Sequence, residues 1–309
     1  MDYFISTESF RPVSSISVSM DQIQHKHVNI RGVKLHIAET GTGSSVVIFI
    51  HGFPEIWYSW RHQMIAVANG GYHAIAPDLR GYGLSEHHPD LGKASFDDFV
   101  EDTIAILDYF QIEKLCLKIT NYDDHRPSWP LRYKDLPEGF YIHRWKEPGR
   151  AEADFSRFDV KTVWRNIYIL FSRNEIPIAD KDKEIMDLVD PSTPLPSWLS
   201  SEDLAIYAEA YEKSGFDSPM RAPYKGLHRE FTIRNAVVKA PVLLIIGGQD
   251  YFLKFPGIED YLASGKVREY ISDLQIKTLP EGSHFVQEQF PDQVNQLIID
   301  FLDKQVRSS

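Results

Sequence analysis

Residues 46–55 read Val46-Val47-Ile48-Phe49-Ile50-His51-Gly52-Phe53-Pro54-Glu55. Five consecutive apolar residues, four of them β-branched, run straight into a His-Gly turn. A run this short and this continuous predicts a strand covered on both faces, as parallel sheets require. Two further runs match it: Tyr72-His73-Ala74-Ile75-Ala76-Pro77-Asp78, and Val242 to Ile246 ending at Gly247-Gly248. Upstream, polar and apolar residues alternate from His27 to Glu39 around Arg31-Gly32, which predicts a hairpin of half-buried strands.

Helical patterns fall between the strands. Phe96, Phe99, Val100, Ile104, Leu107 and Phe110 recur at near-helical spacing, with Asp97, Asp98, Glu101 and Asp102 on the other face. Val294, Leu297, Ile298, Phe301 and Leu302 do the same near the end. Alternating strands and helices place the chain in the α/β class. From about 130 to 235 the text is rich in Pro, Trp, Tyr and charge, and helical where it is periodic; Ser200 or Ser201 caps one of those helices. The block reads as a helical insertion. The expected layout is an N-terminal extension over 1–19, a core over 20–130 and 235–309, and a helical cap over 131–234.

With 309 residues the chain can bury a large core, and 43% hydrophobic content makes it globular. Its net charge of −11, with no basic block, argues against a nucleic-acid or anionic-membrane surface and is read as a solubility feature. The single cysteine, Cys116, lies between Leu115 and Leu117 and is read as a small hydrophobe. One cysteine makes no disulfide framework and no zinc site, so a cytoplasmic home is expected. No stretch is apolar enough to span a bilayer. Residues 1–19 fit neither a transit peptide nor a secretory signal, and Met20 is a candidate start of the ordered chain.

Four motifs are taken to sit at strand ends, the first three directly after the runs named above: His51-Gly52-Phe53-Pro54-Glu55, Asp78-Leu79-Arg80-Gly81-Tyr82-Gly83, Gly247-Gly248-Gln249-Asp250-Tyr251, and Glu281-Gly282-Ser283-His284-Phe285. Catalytic groups in such sheets gather at the carboxyl ends of the strands. Taken alone, His284 would be a core histidine beside Phe285 and Asp250 a turn residue.

Longer stretches carry a resemblance. HGFPEIWYSWRHQM (51–64), APDLRGYG (76–83), FYIHRWKEPGRAEADF (140–155), FPGIEDY (255–261) and EGSHFVQEQFP (281–291) resemble plant soluble epoxide hydrolases of the α/β-hydrolase superfamily. The similarity covers nearly all of 20–305 apart from about 115–135. It implies an α/β-hydrolase fold, a mostly parallel sheet flanked by helices with an inserted cap. It also implies a reaction that needs no metal or cofactor: a carboxylate opens an epoxide to an alkyl-enzyme ester, and a His–Asp pair activates water to release a vicinal diol. By position, His284 is the general base, Asp250 holds its other nitrogen, Tyr141 and Tyr224 hydrogen-bond the epoxide oxygen, and Phe53 lends its backbone N–H to the oxyanion. The implied partner is a small apolar epoxide; the oligomeric state is left open. Haloalkane or ester hydrolysis on the same fold is a rival reading, against which the two tyrosines speak. Two geometries are expected: Asp250 within hydrogen-bond reach of His284, and both tyrosine hydroxyls in one cleft facing it.

The nucleophile's place departs from the pattern. The superfamily sets it on a strained turn between small residues, because Cβ groups do not fit there. Here residues 118–127 read Lys118-Ile119-Thr120-Asn121-Tyr122-Asp123-Asp124-His125-Arg126-Pro127, and no glycine occurs between Gly92 and Gly139. Counting from Ile112 puts Asn121 at the nucleophile position; counting back from Pro127 favours Asp123 or Asp124. Asp123 is taken first because it is a carboxylate near the right place. A strand and its helix are expected to be missing around 115–135, leaving either a hydrolase without ordinary turnover, a catalytically inactive binding protein, or a truncated or mis-spliced isoform.

Overall fold

A computed structural model describes residues 20–88, 95–112, 117–118, 136–225 and 237–308. The chain opens with a hairpin, β1 (Gln24–Ile30) against β2 (Val33–Thr40), antiparallel with Ile30 opposite Val33. Its turn puts Arg31 at φ 49° and Gly32 at φ 79°, the left-handed pair that a two-residue hairpin demands. Strand β3 (Val46–Phe49) follows, then helix α1 (Arg61–Asn69) and β4 (His73–Pro77). The run Val46 to Phe49 is buried except at its first residue, as its unbroken apolar text predicts. β3 pairs parallel with β4 and, on its other side, with β5 (Leu117–Lys118), giving the order β1-β2-β4-β3-β5. β6 (Val242–Gly247) and β7 (Leu274–Leu279) form a separate parallel pair.

Two expectations change. Helix α2 (Phe96–Tyr109) is rotated from the orientation its pattern predicts: Val100 and Ile104 are 48% and 52% exposed, while Asp102 is buried. The cause is a charge network. Asp102 accepts from Arg80 Nε at 2.8 Å and Nη2 at 2.6 Å and from Arg31 Nη1 at 3.0 Å, and a buried carboxylate with two guanidinium partners outranks two half-exposed aliphatics. Strand β6 is also less covered than its continuous apolar text predicts, with Val242, Leu243 and Leu244 only partly buried. Among the described residues its one ladder is to β7.

Between β5 and β6 lie α3 (Tyr141–Lys146), α4 (Arg150–Phe155), α5 (Val160–Phe171), α6 (Ser201–Ser214) and α7 (Asp217–Met220). Ser200 is the N-cap of α6: its hydroxyl accepts from Asp203 N at 3.0 Å, and Asp203 reaches back to the Ser200 N–H at 3.1 Å. These helices pack on the segment after β7 by aromatic stacking. Trp164 stacks on Tyr168 (centroids 3.7 Å) and Tyr207 (4.2 Å), and Tyr168 stacks on Phe285 (4.0 Å, 7°). Trp164 donates its indole N–H to Pro54 O at 3.0 Å. Three large rings buried here remove several hundred square ångströms of apolar surface from water, worth several kcal/mol. Helices α8 (Ile258–Ala263), α9 (Val286–Gln289) and α10 (Pro291–Ser308) complete the chain. Among the described residues no helix is long and apolar enough to cross a membrane.

Candidate active site

Strands β6 and β7 deliver Asp250 and His284. After β6 the chain turns at Gly247-Gly248, after β7 at Gly282, and the two turns are in contact. A Cβ on Gly247 would stand 2.3 Å from Ser283 O and 2.4 Å from Gly282 O, so only glycine permits this approach. Gly248 N donates to Leu279 O (2.8 Å) and Gln249 N to Gly282 O (2.7 Å), locking the turns side by side. Asp250 then caps the turn Tyr251–Lys254, accepting from Phe252 N at 3.0 Å.

Both Asp250 carboxylate oxygens lie 3.1 Å from His284 Nδ1, with 14% and 16% of the two side chains exposed. Burial by itself would lower the His284 pKa; the Asp250 charge, its hydrogen bond and the Glu55 charge outweigh this and hold it above the ordinary value.

Tyr141 opens α3, just after Phe140, and is buried. Tyr224, also buried, sits on a single π-helical turn over Arg221–Lys225, a local widening of the helix of the kind found at functional sites. Lys225 anchors that turn through Asp217 at 2.9 Å and through Glu152. The Tyr141 and Tyr224 rings are 5.9 Å apart, and Tyr224 meets Phe53 edge to face at 5.4 Å. Trp145 closes the cluster, 5.1 Å from each tyrosine ring and 5.9 Å from Phe53.

Three residues enter that sequence reading missed. Tyr251 packs on the His284 ring (4.9 Å) and shares a 3.4 Å hydrogen bond between its hydroxyl and that of Tyr141. Glu55 is buried, with Gln287 Nε2 donating to it at 2.5 Å and Gly52 N at 3.3 Å. Burial and the nearby Glu288 charge push its pKa up to about 7 against the pull of His284. Glu288 is buried under three donors, Arg61 (2.6 Å), Tyr168 (2.8 Å) and Tyr207 (3.0 Å); burial still raises its pKa. The available signal was proximity in sequence: Tyr251 follows Asp250, Glu55 ends the His51 motif, and Glu288 lies one turn past His284.

The other two strand-end motifs build the frame. His51 accepts the Leu79 N–H at Nε2 (2.9 Å), which leaves Nδ1–H to donate to Gly52 O (2.8 Å). Asp78 accepts from Trp57 N, Leu84 N and His36 Nδ1. Asn121, Asp123 and Asp124, the candidates for the nucleophile, lie outside the described residues, as does Cys116. Among the described residues no cluster of three or more His, Cys, Asp or Glu could hold a metal ion.

Residues 45–117 match the family model described as alpha/beta hydrolase fold. Epoxide hydrolase 2 of Siraitia grosvenorii is 30% identical, over 92% of this chain and all of its own length. The chain belongs to the epoxide hydrolase family. Solved members are superimposable: an epoxide hydrolase from Vigna radiata at a TM-score of 0.79 and 32% identity, covering 93% of this chain and 99% of that one. Potato epoxide hydrolase I matches at 0.78 and 30%, covering 91% and 99%. This family has an α/β-hydrolase core, and the fold described above is that fold.

Proposed function

We propose that this chain holds a small apolar epoxide by its ring oxygen between Tyr141 and Tyr224, and that His284 faces the water that would release a diol. One observation carries the reading: Asp250 engages Nδ1 of His284, leaving Nε2 to take a proton from water, and Tyr251 links that ring to Tyr141. In the family reaction a carboxylate oxygen bonds an epoxide carbon as the ring C–O bond breaks, and a tyrosine gives its proton to the ring oxygen. Water, losing a proton to His284, then attacks the ester carbonyl, with the Phe53 backbone N–H steadying the oxyanion. The tetrahedral adduct collapses to the free carboxylate and the diol, its hydroxyl proton passing to the departing alkoxide, and the proton held by His284 returns to the tyrosinate, which resets both groups. Residues 131–234 act as the cap over a core of 20–130 and 235–309, and the single cysteine supports a cytoplasmic setting.

A second reading, a binding protein without turnover, is favoured by the sequence between Gly92 and Gly139. Asp123 is the nearest carboxylate to the nucleophile's place, and no glycine flanks it to allow the tight turn. Small misplacements of a nucleophile cost orders of magnitude in rate. The expected result is therefore binding of styrene oxide and its diol, with diol formation below about 1 per second. Turnover at or above that rate would place a competent carboxylate in the chain. Loss of it in Asp123→Asn but not Asp124→Asn would then identify Asp123. Binding of neither ligand would refute both readings.

A further inference from the structure

We propose that Tyr251 is a positioning residue whose hydroxyl donates to the Tyr141 oxygen, so that Tyr141 turns a better oriented and stronger O–H toward a ligand oxygen; this rests on the epoxide-holding role given to Tyr141. The two hydroxyl oxygens are 3.4 Å apart, and either proton could lie between them. The surroundings keep Tyr251 a neutral phenol, and a ligand oxygen on Tyr141 sets the direction. Tyr251 is buried, stands next to the Asp250 carboxylate, and lies against four rings: His284 (4.9 Å), Phe171 (5.3 Å), Phe255 (5.8 Å) and Tyr141 (6.3 Å). A phenol in that setting keeps its proton: burial first, then the neighbouring phenols and Asp250, hold its pKa well above the ordinary value, and its bond to Tyr141 acts in the same direction. Each phenol has one proton, so when Tyr141 gives its own to a ligand oxygen the proton between the two oxygens is that of Tyr251, which is then the donor and Tyr141 the acceptor. A hydroxyl that accepts a hydrogen bond becomes a better donor, so the chain Tyr251 to Tyr141 to ligand oxygen is polarised along its length.

The arrangement also ties two parts of the site together. Tyr251 follows Asp250 directly, so its backbone is fixed by the cap that Asp250 forms with Phe252. Tyr141 comes from the helical insertion. One hydroxyl pair therefore sets the distance between the oxygen-holding tyrosine and the His284–Asp250 pair.

The test uses two probes of similar shape, 1-phenyl-1,2-ethanediol and ethylbenzene, with binding to the full chain followed by tryptophan fluorescence. Tyr251→Phe removes one hydroxyl and keeps the ring. The expected result is that diol binding weakens roughly 2- to 10-fold, the size of one modest hydrogen bond, while ethylbenzene binding is unchanged. In a Tyr141→Phe background, Tyr251→Phe should no longer affect the diol. A packing role would move both probes alike, or act equally in both backgrounds, and would overturn the proposal; so would an unchanged diol affinity. If the unsubstituted protein binds neither probe, the functional reading falls and the ligand half of this proposal with it. The hydroxyl pair is then judged by a urea-unfolding cycle of the same two substitutions. Coupling of about 2- to 10-fold in the unfolding constant upholds the pair, and strict additivity refutes it.

Discussion

Glu55→Gln should stabilise the protein at alkaline pH and do so less in acid. Glu55 is 5% exposed, and its pKa is raised from 4.5 to about 7 in the fold. A folded pKa above the unfolded one means that the folded protein binds the proton more tightly. Its contribution is fully present below 4.5 and is lost as pH rises through about 7. At 1.36 kcal/mol per unit, the full loss above pH 7.5 is about 3 kcal/mol. Between about pH 5 and about pH 8.5 the part that changes is about 2.5 kcal/mol, because the unfolded chain is already partly ionised at the lower pH. Glutamine has the same shape and no titration, so the variant loses this pH dependence. The assay is urea unfolding of both proteins at the two pH values. The stability difference should shift by about 2.5 kcal/mol in favour of glutamine on going to the higher pH. An offset that stays constant to within about 0.5 kcal/mol would refute the claim that Glu55 is protonated well above the carboxylate range.

Three shorter predictions follow from the same network. Asp250→Asn should drop the His284 pKa below the free-histidine value, since burial, the largest influence, is then opposed only by the Glu55 charge; imidazole proton shifts across a pH series check it, and an unchanged midpoint contradicts the pairing. The stability that His284 contributes, present below pH 6.5 and lost as pH rises through its raised pKa, should vanish in the same variant. Arg61→Met strips Glu288 and Asp203 of a buried cation and should destabilise by about 3–5 kcal/mol, with much of the loss recovered on adding Glu288→Gln; equal destabilisation in single and double variants would argue against the charge.

How far the residues foretold this site depends on what each piece needs. Strands β3 and β4 were legible because a doubly covered strand writes itself as an unbroken apolar run. The hairpin was legible because Arg31-Gly32 interrupts clean alternation. β7 was overlooked: Leu274-Gln275-Ile276-Lys277-Thr278-Leu279 mixes buried ends with exposed Lys277 and Thr278, a weak form of the alternating pattern. The face of α2 was misjudged because a carboxylate looks solvated until its partner is known, and Arg80 comes from a distant turn. His284 and Asp250 came from resemblance, since the closeness of residues 34 apart is a property of the Gly247 and Gly282 turns. Glu55 and Tyr251 escaped for a related reason: their chemistry comes from burial and neighbours, which no short pattern records. The place of Asp123 lies outside the described residues.

The Trp164–Tyr168–Phe285 stack has a mechanical consequence. Phe285 is bonded directly to His284, so helix α5 and the loop that carries the imidazole move as one piece. Lifting α5 to admit a ligand would drag the backbone next to His284 and stretch its contact with Asp250. Admission and alignment cannot then be tuned separately through this helix. A passage that leaves the imidazole seated has to open along segments outside the stack, and a substitution that loosens Trp164 would be felt as a tilt of His284 before it was felt as a wider door.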